Sequence, residues 1–249
     1  MREAALQALQ AASRRPPAAQ PASRLVIAGA TGALGNEVLR RLVGLRLYAA
    51  TQVLAREPIT TGLRGVGTTL VPSDDPAAWP PGAADTGVVL FDPPRLFYDR
   101  ERALWTPEPG QLPALAAWMR RSGVRTLAVV LPHAQGRLPE ALKRGLASLD
   151  EQAVARLGFE RLLVVRSAQK PAPAAAPGWL PRLADWMLSI FKYMVPSSEQ
   201  PVRSAKVAEF VGHALQLAPP GIHVASPEIV WRAAQEDVRE VVGAWLRSR

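Results

Sequence analysis

Residues 24–28 read Arg-Leu-Val-Ile-Ala, a short apolar run of the kind a strand buried on both faces requires. The run passes directly into Gly29-Ala30-Thr31-Gly32-Ala33-Leu34-Gly35. Leu34, Val38, Leu39, Leu42 and Val43 then recur at helical spacing until Gly44 ends the stripe. Comparable apolar runs at 52–55, 68–71, 88–91, 126–131 and 162–165 alternate with helical patterns at 112–121 and 141–157. Six strands interleaved with helices predict an α/β protein built on a doubly wound parallel sheet with right-handed crossovers. Beyond the sixth strand the alternation weakens. A Pro/Ala loop at 171–178, helices at 181–195 and 202–217, a late strand at 221–224 and a terminal helix at 227–247 are expected. The expected organisation is a flexible extension over 1–23, a Rossmann-like core over 24–170, and a small, mostly helical C-terminal lobe over 171–249 packed on that core.

With 48% hydrophobic and 20% charged residues, the chain reads as globular and not disordered. It has no cysteine, which excludes disulfides, a thiolate nucleophile and a Cys-based zinc site. His133, His213 and His223 lack ligand-like spacing, so no metal is expected, and no apolar run is long enough for a transmembrane span. The net charge of +9 comes from 26 arginines and only four lysines, scattered with no run longer than a pair. A nucleic-acid face would cluster them with polar or aromatic readers, so nucleic acid is not an expected partner. Attraction to anionic small molecules is. Residues 1–23 resemble an Arg-rich transit peptide as much as a disordered tail, and they lack the apolar segment of a secretory signal. A cytoplasmic tail and a cytoplasmic protein are expected.

The glycine loop is the informative feature. Glycines permit a tight strand-to-helix turn, backbone approach by a phosphate, and close packing of helix on sheet. The free amides at the helix start, aided by the helix dipole, suit a pyrophosphate. The G-x-x-G-x-x-G spacing of residues 29–35 resembles the extended and atypical short-chain dehydrogenase/reductases, the branch that includes NAD-dependent epimerases and dehydratases. Ser73-Asp74-Asp75, Leu163-Val164-Val165-Arg166 and Ser204-Ala205-Lys206-Val207-Ala208 are similar to further motifs of that superfamily, although Ser167 replaces a proline. The resemblance implies a bound dinucleotide held by Gly29, Thr31, Gly32, Ala33, Leu34 and Gly35, with Asp74 near the adenine. It also implies that Arg56 takes a 2′-phosphate, which favours NADP(H). Glu57 keeps NAD(H) in play, because an acid there accepts hydrogen bonds from a ribose 2′-hydroxyl.

The family's catalytic serine and Tyr-x-x-x-Lys pair have no counterpart. The fifth strand leads into Pro132-His133, and Pro139 stands where the tyrosine belongs, four residues before Lys143. The resemblance implies that Lys143 reaches the ribose, and Tyr98 and His133 are the candidate substitute acids, each weighed against a packed aromatic and a surface histidine. The first reading is therefore an NADP(H)-binding protein with degenerate catalysis, acting as a redox sensor, scaffold or partner-binding module. The second is an active oxidoreductase or isomerase on a small carbonyl or sugar-nucleotide substrate, using Tyr98, His133 or water as its acid. A third is a structural subunit with no ligand. Helix 181–195 has a narrow polar stripe of Asp185, Ser189 and Lys192. It either packs under the lobe, forms a substrate lid or homodimer surface, or touches a membrane.

Overall fold

The computed structural model describes residues 23–59, 62–95, 98–131, 148–166 and 202–248. Among the described residues, seven strands form one sheet: β1 (Arg24–Ala28), β2 (Ala50–Ala55), β3 (Val66–Leu70), β4 (Thr86–Leu90), β5 (Thr126–Leu131), β6 (Arg161–Arg166) and β7 (Gly221–Ala225). Their order is β3-β2-β1-β4-β5-β6-β7 and every neighbouring pair is parallel. The fold is the Rossmann-like doubly wound sheet that the alternation predicts. Strand order reverses between β1 and β4, and in such sheets ligands bind beyond the carboxyl ends of the strands at that reversal.

Both faces of the sheet are covered, which is why its strands read as continuous apolar runs. Leu25, Ile27, Val88, Leu90, Val130 and Leu163 face a layer made by α1 (Gly32–Gly44), α5 (Ser204–Leu217), α6 (Pro227–Gln235) and α7 (Val238–Arg247). Their sequence neighbours Val26, Ala28, Val89, Val129 and Val164 face the opposite layer, made by α3 (Leu112–Arg121) and α4 (Leu149–Ala155). One further helical turn, α2 (Asp99–Arg102), lies between β4 and α3.

Two expectations are corrected, at the terminal helix and at the third strand, and one is met, at the end of α1. The terminal helix is two helices, because Asp237 starts a new one by accepting the Glu240 amide at 2.9 Å. Helix α1 does end at Gly44, but the left-handed residue that turns the chain is Arg46, at φ 51°. The third strand begins at Val66, with Gly67 inside it, instead of at residue 68. The late strand at 221–224 forms and runs to Ala225, pairing with β6 at the sheet edge. Of the helix expected at 141–157, α4 covers Leu149–Ala155, and residues 132–147 lie outside the described residues. No helix among the described residues is long and apolar enough to cross a membrane, and no cluster of metal-ligating side chains occurs among them.

Candidate functional site

At the carboxyl end of β1 the chain turns into α1 through Gly29–Gly35, and two of these glycines take left-handed backbone angles, Gly29 at φ +77° and Gly32 at φ +66°. A Cβ on Gly29 would lie 2.0 Å from the Leu90 carbonyl oxygen, and one on Gly35 would lie 2.5 Å from the Gly29 carbonyl oxygen. Only hydrogen fits at either place. The first glycine thus lets the loop pack on β4, and the last lets α1 pack on the loop. Thr31 occupies the N-cap position without capping. Its buried hydroxyl turns away to donate to the Asp92 carbonyl oxygen at 2.5 Å, 3.0 Å from the Thr106 hydroxyl.

The first turn of α1 contains no acid of its own, yet its amides are paired with acids. Asp92, just past β4, accepts the Leu34 N–H at 2.9 Å, and Glu101 of α2 accepts the Gly32 N–H at 2.9 Å. A Cβ on Gly32 would meet the Asp92 carboxylate at 2.2 Å, so the acid is seated directly on the turn. Glu101 is 4% exposed. Beyond the Gly32 amide it accepts the Asn36 side-chain amide at 2.8 Å, the Arg95 backbone N–H at 2.9 Å, and the Arg95 guanidinium through Nε at 2.8 Å and through Nη2. Burial pushes the Glu101 carboxyl up, but the hydrogen bonds from Arg95 and Gly32 and the Arg95 charge outweigh it and hold the group below the usual carboxylate range. A charge-assisted hydrogen bond of this kind contributes about 1.5–3 kcal/mol.

After α2 the chain crosses the ends of β1 and β2. Ala103 accepts the Arg56 amide at 2.8 Å, Trp105 donates its amide to the Leu54 carbonyl at 2.9 Å, and the Trp105 carbonyl accepts the Gly29 amide at 3.2 Å. Leu104 bridges Ala55 in antiparallel sense. Trp105 is fully buried, meets the Trp79 ring edge-on at a centroid distance of 4.8 Å, and donates its indole N–H to Asp74 at 3.1 Å. The glycine geometry fits a pyrophosphate, but the donors at Gly32 and Leu34 are taken. Glu101 and Asp92 occupy them in this conformation.

Arg56 and Asp74, predicted to face the ribose and the adenine, are brought together. The guanidinium donates to one Asp74 oxygen at 2.8 and 3.2 Å, and both side chains are more than half exposed. Ala33 is exposed at the mouth of the turn. Tyr98 precedes α2, half exposed, with the Arg95 guanidinium 3.7 Å above its ring centre. His133, Lys143, Pro139 and helix 181–195 lie outside the described residues, as do residues 1–22. Asp92, Arg95, Glu101 and Trp105 were not picked out from the sequence as site residues. The one signal for the two acids was the absence of any Asp or Glu in positions 29–36, where a helix start usually has an anion nearby.

No protein-family model matches the sequence, and no curated protein does. Among solved structures, the Citrobacter sp. triphenylmethane reductase complexed with NADP(H) aligns at 15% identity and a TM-score of 0.48, over 82% of this chain and 69% of that one. Uronate dehydrogenase from Agrobacterium tumefaciens complexed with NAD aligns at 16% and 0.44, over 82% and 76%. UDP-N-acetylglucosamine 4-epimerase from Bacillus cereus aligns at 12% and 0.41, over 82% and 79%. These neighbours are a reductase, a dehydrogenase and an epimerase. Their ligands are their own.

Proposed function

We propose that this chain is a nicotinamide-dinucleotide-binding protein of the atypical short-chain dehydrogenase/reductase kind that works by binding and release and not by turnover. A redox-sensing, scaffolding or partner-binding role follows. The observation that carries the reading is the turn at Gly29–Gly35. It sits at the reversal of strand order, has backbone angles and close contacts that exclude side chains, and has amides whose present partners are anions. A turn built to hold carboxylates at a helix start is equally suited to phosphates.

The amides of Gly32 and Leu34 would hold the pyrophosphate once their carboxylates withdraw, and Arg56 would hold a 2′-phosphate, so NADP(H) is preferred over NAD(H). The dinucleotide supplies hydride exchange when bound. The sequence offers no serine or tyrosine at the family's positions to give a substrate a proton, which is why sensing is preferred to catalysis.

Mass spectrometry of nucleotide retained by the purified protein tests this, together with calorimetric titration of NADPH and NADH. The expected result is binding, with Arg56→Ala losing at least tenfold more affinity for NADPH than for NADH. Absence of binding by both coenzymes at millimolar concentration would refute the assignment. Equal losses in Arg56→Ala would place the 2′-phosphate elsewhere.

A further inference from the structure

We infer that residues 92–95 and 98–106 form a built-in lock on this dinucleotide site, in which Asp92 and Glu101 stand where the phosphates of the ligand would be. The inference rests on the dinucleotide reading and adds its regulation. Two acids from outside α1 hold the two amides, 58 and 69 positions away in sequence from the residues they bind. A carboxylate and a phosphate cannot share one N–H donor, and at this spacing they repel. Ligand and acids therefore exclude one another.

The lock has a fixed end and a loose end. Trp105 fixes one end in the core, with no exposed surface. At the other end the Arg95 side chain is 42% exposed while it clamps the Glu101 side chain, which is 6% exposed. A guanidinium pairs with phosphate as readily as with carboxylate. An arriving phosphate can thus draw Arg95 outward, and Glu101 then loses the partner that offsets its burial. Helix α1 need not unfold for this, because neither acid belongs to it.

The apparent affinity of a closed site falls by the fraction of molecules that are open, so a lock open in about one molecule in a hundred weakens binding about a hundredfold. Calorimetric titration of the full chain with NADPH, set beside hydrogen exchange at the Gly32 and Leu34 amides, tests this. The double variant Asp92→Asn/Glu101→Gln and the single variant Arg95→Ala are compared with wild type. Arg95→Ala leaves the cradle intact and serves if the double variant does not fold. Expected are at least tenfold tighter NADPH binding in each variant and faster exchange at both amides in the ligand-free variants. If wild type binds NADPH as tightly as the variants, the lock is refuted while the dinucleotide reading stands. If none binds NADPH although the variants' amides exchange faster, the dinucleotide reading falls, and the acids are permanent helix caps instead of a lock.

Discussion

Removing the indole of Trp105 should damage this protein more than its position in a connecting segment suggests. The side chain has no exposed surface and packs edge-on against Trp79 at 4.8 Å, which in turn meets Trp118 at 5.2 Å. Truncating a buried Trp to Ala costs about 3–5 kcal/mol, made up of lost transfer free energy and the cavity left behind. In a chain of 249 residues each kcal/mol moves the midpoint by roughly 2–4 °C, so Trp105→Ala should lower Tm by roughly 6–20 °C. Trp105→Phe keeps most of the packing but removes the N–H that reaches Asp74 at 3.1 Å. Its cost should be near 1 kcal/mol. Urea denaturation followed by circular dichroism measures both variants. A loss below about 1.5 kcal/mol for Trp105→Ala would show that the segment crossing β1 and β2 is not part of the core, and the fixed end of the lock would go with it.

Gly29→Ala and Gly158→Ala share a left-handed backbone, at φ +77° and +70°, but a Cβ at Gly158 meets nothing within 4 Å. Gly158→Ala should cost about 1 kcal/mol, the strain of the angle alone, and Gly29→Ala clearly more, because the methyl runs into the Leu90 carbonyl. Equal midpoints in urea would contradict that contact. Glu101 titrates below its ordinary value, so its stabilising contribution is complete above about pH 4.3 and is lost as pH falls through the lower folded value. The gap in Tm between wild type and Glu101→Gln should therefore be constant above about pH 5 and narrow on acidification. A gap that widens toward acid would reverse the sign argued from its Arg95 and Gly32 contacts.

The strands were legible because burial on both faces leaves uninterrupted apolar runs, and α3 was legible to the residue because Leu112, Leu115, Ala116 and Met119 keep one helical face apolar. The glycine loop was legible because its chemistry is local. What closes it was not. The pairs Leu34–Asp92 and Gly32–Glu101 join polar groups across the sheet reversal, and no periodicity marks a long-range hydrogen bond. Tyr98 stands out in that segment as an aromatic beside the ligand edge, while nothing local marks Glu101, three residues on, as buried. The break in the terminal helix was there to be read, since Asp237 followed three positions later by Glu240 is a helix-start pair. The amphipathic stripe running through both helices hid it.

The first strand, glycine turn and helix cannot be regarded as a self-sufficient opening module. The positive pole of α1 stays without counter-charge until β4 has docked beside β1 and delivered Asp92, and until α2 has followed with Glu101. During synthesis, a nascent chain released only through the third strand would therefore carry an incomplete helix start. The opening third of the molecule gains these polar partners only when the middle third arrives.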